Sequence, residues 1–239
     1  MIFNQQEFDI RLEWGIHGVR ELAPISDVVI IVDILSFSTS VDIATSNGAR
    51  IYPYCTKDST AVHYASSINA ELADFTRKRT GGYTLSPTSL LEIPKGTSLV
   101  LPSPNGSTLS LSTGSTTTLC GCLRNAEAVA NFAMTLGKSI SVIPAGERWG
   151  DESLRPAFED LIGAGAIISF LKGKLSSESN AALSVFTSVE ENLSDQIMQC
   201  SSGKELIERG FKNDVYLACE YNKSNTIPIL RENAYVALL

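Results

Sequence analysis

Histidine is almost missing from this chain: 239 residues contain two, His17 and His63, too few to complete a typical zinc site. Cysteine is sparse as well. The five thiols, Cys55, Cys120, Cys122, Cys200 and Cys219, are odd in number and include no Cys-x-x-Cys pair, which excludes a disulfide framework and a zinc ribbon and points to reduced thiols. Charges, glycines or prolines interrupt every apolar run before membrane-spanning length. The opening Met1-Ile2-Phe3-Asn4-Gln5-Gln6-Glu7 lacks the basic patch and apolar block of a signal peptide, so a soluble, cytoplasmic protein is expected. There is no concentrated basic stretch either. A net charge of −7 with scattered Lys and Arg argues against nucleic acid as the main partner and in favour of a small ligand. Repeats, a low-complexity tail and a linker-like break in composition are all absent.

What is present is ample apolar content, 44%, and an alternation of strand-like and helix-like segments. Val28-Val29-Ile30-Ile31-Val32 is an unbroken β-branched run, the pattern of a strand covered on both faces, and it ends in Asp33. Further strands are expected at 50–54, 98–102, 116–120 and 139–144, with a half-exposed edge strand within 7–13 and late strands at 226–230 and 234–239. Ser38 or Thr39, Asp58 and Asn125 are placed to cap helices, Asn47-Gly48 and Gly137 to end them, and Pro156 to open one. The second helix, capped by Asp58, is expected to carry Ala61, Val62, Ala65, Ile68 and Leu72. Asp214 is a further cap candidate, and Pro228 favours an edge position for its strand. Gly163 and Gly165, inside the helix after Pro156, suggest close approach of another backbone. The pattern predicts one α/β domain over 1–239, a three-layer α/β/α arrangement around a largely parallel or mixed sheet, with a helical subregion at 176–211.

Four strand ends, at Asp33, Ser103, Cys120 and Pro144, lead into polar loops, three of them ahead of helix N-termini. Parallel strands would gather these loops on one rim, where unpaired N–H groups suit phosphate, sulfonate or carboxylate. An acid ending a buried strand is costly unless paired or bound to a cation, which makes Asp33 the first candidate for chemistry. The strand-Asp opening of haloacid-dehalogenase phosphatases needs a second Asp two residues on, where Leu35 stands. Gly137-Lys138-Ser139 imitates the end of a P-loop, but Phe132 occupies the place of its first glycine. Glu147, Asp151, Glu152, Glu159 and Asp160, with Arg148 and Arg155, form a charged block whose default reading is a solvated loop. Glu159 and Asp160, one turn into an apolar helix, are the exceptions, and oxygen ligands without histidine suit Mg²⁺. The two histidines and the Cys120-x-Cys122 pair read as packing or surface residues.

An ordered set of short motifs carries a family resemblance. It comprises Val32-Asp33-Ile34-Leu35 with Ser38-Thr39, Ser86-Pro87, Asn105-Gly106-Ser107, Asn125-Ala126 with Ala128-Val129-Ala130, and Glu159-Asp160 with Gly163-Ala164-Gly165. Gly203-Lys204-Glu205-Leu206, Gly210-Phe211 and Asp214-Val215 continue it. In these the chain resembles the Mg²⁺-dependent 2-phosphosulfolactate phosphatases of coenzyme M biosynthesis, the ComB family. The resemblance implies a three-layer α/β fold and Mg²⁺-dependent hydrolysis of a phosphate ester on a short sulfonated or carboxylated acid. Asp33 with Glu159 or Asp160 is then expected to hold the metal and carry catalysis, and Ser38, Asn105, Gly106, Ser107 and Asn125 to cradle the substrate. Relatives commonly have Arg where this chain has Ser36, followed here by Phe37 instead of a small residue. Arg148 and Arg155 are the expected replacements, because a guanidinium matches an oxyanion in a bidentate fork. The rival readings are a non-catalytic anion-binding homologue and a Mg²⁺-dependent lyase or transferase on a phospho-acid. A small phosphorylated acid is the expected partner, with no membrane and no nucleic acid, and a homodimer stays open.

Overall fold

A computed structural model of the chain describes residues 2–78 and 81–238. Strands and helices alternate from the start: β1 (Ile10–Leu12), α1 (Gly15–Leu22), β2 (Val28–Val32), α2 (Phe37–Ser46), β3 (Arg50–Tyr54), α3 (Ser59–Ser67) and β4 (Glu71–Leu72). Then come β5 (Ser98–Pro102), α4 (Gly106–Ser110), β6 (Thr117–Gly121), α5 (Ala126–Leu136) and β7 (Ile140–Pro144). A small hairpin, β8 (Glu147–Arg148) and β9 (Leu154–Arg155), leads into α6 (Phe158–Ile168) and α7 (Ser177–Val189). The chain closes with α8 (Leu193–Gln199), α9 (Ser201–Glu208), α10 (Lys212–Ala218), β10 (Ile227–Arg231) and β11 (Ala234–Leu238).

The central sheet runs β1-β7-β2-β6-β10-β11-β3-β5-β4. All five residues of β2 are fully buried, as an unbroken Val/Ile run requires. Because side chains alternate along a strand, Val28, Ile30 and Val32 join a core with α5, α6 and α7, while Val29 and Ile31 pack with α1 and α4. Helices therefore cover both faces, and the expected three-layer α/β arrangement is the observed one. β7 and β6 pair with β2 in parallel, and β3, β5 and β4 form a second parallel set. Between the sets lies the β10–β11 hairpin, antiparallel to β6 on one side and to β3 on the other. The two parallel sets consequently run in opposite senses. Five strand-to-strand steps separate β2 from β5, and a twist of about 20–25° per step turns the sheet through roughly a right angle or more between them.

Several local expectations need correction. β1 is an edge strand, but its three residues are buried, because the segment before α7 lies along it: Ser176 N donates to Ile10 O at 2.9 Å, and Asp9 N to Lys174 O at 2.9 Å. β10 is interior despite Pro228; it meets β6 at one residue pair, Ile229 with Leu119, so the missing N–H interrupts a very short ladder. Leu72 lies in β4, since α3 ends at Ser67. Asp58 caps α3 as expected, accepting from Thr60 N at 2.8 Å. Asp214 lies in the first turn of α10, and the residue at the N-cap position is Phe211. Among the described residues no helix is long and apolar enough to cross a membrane.

Gly165 shows why a helix tolerates glycine here. A Cβ at this position would collide with the Ala182 carbonyl oxygen of α7 and lie 2.7 Å from Phe186 Cβ, so the absence of a side chain sets the α6–α7 distance. Gly165→Ala should lower unfolding free energy by about 1–3 kcal/mol, the usual cost of overpacking, in urea denaturation. An unchanged midpoint would show that the two helices are free to separate.

Candidate active site

Asp33 ends β2, and the chain wraps back around it. Ser38 N donates to Asp33 O at 2.8 Å, and Asp33 N donates to Ser38 Oγ at 2.7 Å. The carboxylate accepts Phe37 N on Oδ1 at 3.2 Å and Gly106 N on Oδ2 at 2.9 Å. Thr39 Oγ1 donates to Ile34 O at 2.8 Å. Ser38 and Thr39 thus brace the turn from within α2 instead of capping it. The Leu35–Ser36 peptide in this turn is cis.

Three more acids crowd Asp33. Asp160 accepts Ile34 N on Oδ1 and Gly146 N on Oδ2, both at 2.8 Å, so one carboxylate ties the loop after β2 to the loop after β7. Glu159, 2% exposed, accepts the Cys200 thiol on Oε2 at 3.3 Å. Glu147 accepts the Asn105 side-chain amide on Oε2 at 3.0 Å. Burial pushes the Asp33 carboxyl up to about 6, opposed by the Phe37 and Gly106 N–H groups and reinforced by the charge of Glu159. Burial and the charge of Asp33 push Glu147 up to about 7. Asp160 is held well above the ordinary carboxylate range by burial, then by Asp33 and Glu159.

Asp33, Asn105 and Glu147 open onto a cleft of about 410 Å³ whose lining also includes Ser36, Lys57, Arg77 and Arg209. Partial burial and the charges of Arg77 and Arg209 lower the Lys57 ammonium, although the side chain remains exposed at the mouth. Arg77 Nη1 pairs with Asp214 Oδ2 at 2.6 Å, and its Nη2 donates to Ser36 Oγ at 2.8 Å. Acids and cations therefore share one cavity.

Three of the four expected strand-end loops meet here, those after β2, β5 and β7, and with them Asp33, Glu159, Asp160, Asn105 and Gly106. The β6 end lies beside that of β2, Gly121 opposite Val32, but residues 121–125 do not line the cleft. Asn125, fully buried, accepts Cys122 N at 2.8 Å and donates to Cys120 O and Thr226 O, so its amide holds backbone. Ser107 Oγ donates to Leu101 O at 3.1 Å, and Gly106 N is directed at Asp33 instead of a ligand. Arg148 is exposed and bonds to Glu152 O at 3.1 Å. Arg155 donates to Ser202 Oγ at 3.3 Å and lies over the Trp149 ring. The cation beside Ser36 is thus Arg77, in place of Arg148 or Arg155. Lys57, Arg77 and Arg209 were not singled out by sequence reasoning, and Glu147, read by default as part of a solvated loop, instead lines the cleft beside Asp33. Glu147 and Lys57 follow strand ends, which was the available signal. Arg77 lies in an unpatterned loop and carried none.

The donor set suits a hard cation. Asp33 and Glu147 present oxygen at the cleft, and Cys200, pushed up to about 12 by burial and by Glu159, is a protonated donor to Glu159. Among the described residues no three His, Cys, Asp or Glu side chains converge as a ready-made cage. Mg²⁺ does not require one, since it is commonly held by one or two carboxylates with water and substrate oxygens completing the octahedron.

The strand ends of this α/β fold thus gather carboxylates and cations in one cleft, an arrangement with room for a small anion. Residues 17–233 match the family described as 2-phosphosulpholactate phosphatase, and the chain belongs to that family, a family of phosphoric monoester hydrolases. It is 30% identical over 210 residues, 84% of each chain, to a probable 2-phosphosulfolactate phosphatase of Carboxydothermus hydrogenoformans. It is 28% identical over 219 residues, 87% of this chain and 88% of the relative, to the 2-phosphosulfolactate phosphatase of Methanothermobacter thermautotrophicus. A probable 2-phosphosulfolactate phosphatase of Thermotoga maritima is 27% identical over 231 residues, covering 90% and 96%.

The raised carboxyls fix the sign of a pH effect. Asp33 and Glu147 hold protons more tightly folded than unfolded, so their stabilising contribution is full below the ordinary carboxylate range and is lost as pH rises from about 4 to about 7. Metal-free protein should lose stability over this window, on the order of a few kcal/mol, and Glu147→Gln should lose less. Equal slopes for both proteins in urea titrations at pH 5 and pH 8 would remove Glu147 from the crowded set.

Gly106 generates a second prediction. A Cβ there would overlap the Phe37 ring and stand 2.8 Å from Asp33 Oδ2. Gly106→Ala should displace the Asp33 carboxylate and lower turnover by at least about tenfold, about 1.4 kcal/mol in the barrier. Full activity in a stable Gly106→Ala protein would show that the contact with Asp33 is dispensable.

Proposed function

We propose that this chain hydrolyses 2-phosphosulfolactate, or a phospho-acid of the same charge pattern, to the hydroxy acid and phosphate, with Mg²⁺ as its metal. The observation that carries this reading is the single cleft in which Asp33 and Glu147 meet Lys57, Arg77 and Arg209. A substrate with a phosphate and two further acid groups needs cations at both ends. The acids accommodate a metal at the phosphoryl end, and the protein's own cations receive the other groups.

Asp33 would hold Mg²⁺, with Glu159 behind it. When bound, the ion neutralises and polarises the phosphoryl oxygens. The Phe37 and Gly106 N–H groups fix the Asp33 carboxylate, and Asp160 holds the loops after β2 and β7 against each other. Glu147, oriented by the Asn105 amide and raised to about 7, takes the proton from the attacking water near neutral pH. The water oxygen bonds to phosphorus, the ester P–O bond breaks, and the alkoxide is protonated at the cleft mouth, where Lys57 carries a lowered ammonium.

Phosphate release from 2-phosphosulfolactate, assayed with Mg²⁺ and with chelator, tests the reading. Metal-dependent release is expected, with loss of activity in Asp33→Asn and a fall of roughly 10²–10⁴-fold in kcat for Glu147→Gln. Chelator-resistant release, or wild-type turnover in Asp33→Asn, would contradict it.

A further inference from the structure

Arg77 is held more firmly than a surface cation at a cleft needs to be. Its side chain is 9% exposed and that of its partner Asp214 1%, and their contact is 2.6 Å. Asp214 Oδ1 also accepts the hydroxyls of Ser86 and Thr88, each at 2.6 Å, so its carboxylate is fixed from the opposite side. The Phe211 ring lies 5.9 Å from the Arg77 guanidinium carbon. These contacts join the loop after β4, the turn at 86–88 and α10, and they leave the guanidinium little freedom to lose when a ligand arrives.

The fixed guanidinium still lines the cleft, as does its other partner, Ser36. Because Ser36 Oγ accepts from Arg77 Nη2, its own O–H proton must point elsewhere, and among the described residues it has no acceptor. Ser36 therefore offers a hydroxyl polarised by a buried guanidinium. Lys57 and Arg209 line the same cavity and add positive potential. A neutral ligand group would leave this donor arrangement unmatched, whereas an oxyanion would complete it.

Taking the phosphatase reading as the source of the ligand's identity, we propose that Arg77 and Ser36 together bind the acid group of the substrate that is not transferred, its sulfonate or carboxylate. Asp214 is the positioning residue that aims Arg77. Arg77 then sets specificity for which phospho-acid is hydrolysed, and Asp33 and Glu147 act at the other end of the same molecule.

The test uses two ligands and a phosphate-free probe. In Arg77→Ala the KM for 2-phosphosulfolactate should rise about ten- to a hundredfold with kcat little changed, the range expected for losing a charge-assisted hydrogen bond. With 2-phospholactate, which lacks the sulfonate, an unchanged KM assigns Arg77 to the sulfonate and an equal rise assigns it to the carboxylate. Calorimetric binding of 3-sulfolactate should weaken in Arg77→Ala even if no phosphate ester is turned over, so the failure of the phosphatase reading is distinguishable from the failure of this one. Ser36→Ala, a mild change, should weaken 3-sulfolactate several-fold, and Asp214→Asn should weaken it only when Arg77 is present. Arg77→Lys keeps the charge without the fork and should recover part of the loss, which covers the case in which Arg77→Ala does not fold. Unchanged 3-sulfolactate binding in Arg77→Lys and Ser36→Ala, no binding by the wild-type protein, or a fall in kcat alone would overturn the proposal.

Discussion

Four carboxylates packed at one end of a sheet are the constraint on which this structure depends. Asp33, Glu159 and Asp160 are 6%, 2% and 3% exposed, and Glu147 stands close enough to feel the charge of Asp33 and Glu159. Burying acids is costly unless donors meet them. Here the donors are mostly backbone N–H groups from different loops: Phe37 and Gly106 on Asp33, Ile34 and Gly146 on Asp160. Satisfying the acids therefore also locks the loops after β2, β5 and β7 together, and the shape of the cleft follows. The donors do not remove the repulsion. Burial first, and then the charges of the neighbouring acids, raise the proton affinity of Asp33 and Glu147, and a divalent cation is a natural group to relieve both.

The fold was legible wherever burial is written as periodicity. The Val28–Val32 run, the Asn47-Gly48 stop and Gly165 of α6 each have one physical cause, and the structure shows that cause: a doubly covered strand, a positive φ of 82° at Gly48, and contact with the α7 backbone at Gly165. Gly163, by contrast, is crowded by the side chains of Ile34 and Val32 and not by the expected backbone. Long-range arrangement was not legible. Pro228 signals an edge when its own strand is considered alone, but the β10–β11 hairpin is inserted between two parallel sets, and nothing local to residues 227–238 announces that. β1 reads as half-exposed by alternation, and the segment that buries it lies more than 160 residues away, where Ser179 Oγ donates to Ile10 O with a separation of 169.

The site divides the same way. Asp33 could be found because an acid at the tip of an apolar strand violates a local rule, and Asp160 because it interrupts an apolar helix. Residues such as Asn125 and Ser107 fit a ligand cradle equally well on paper, and only their hydrogen bonds show that they hold backbone. Arg77 was invisible because its significance arises from Asp214, 137 residues away, and from Ser36, 41 residues away. The neutral hydroxyl at Ser36 is accompanied by a cation after all, delivered through tertiary structure from a loop with no periodicity of its own.

The proposed division of the cleft into a metal-holding acid half and a substrate-holding cation half can be tested directly. A crystal of the protein soaked with Mn²⁺ and 3-sulfolactate, with anomalous data collected at the manganese edge, locates both at once. The expected result is a metal peak within coordination distance of Asp33, with an acid group of the ligand at Arg77 and Ser36. A metal peak remote from Asp33, or a ligand whose acid groups avoid Arg77, would contradict it.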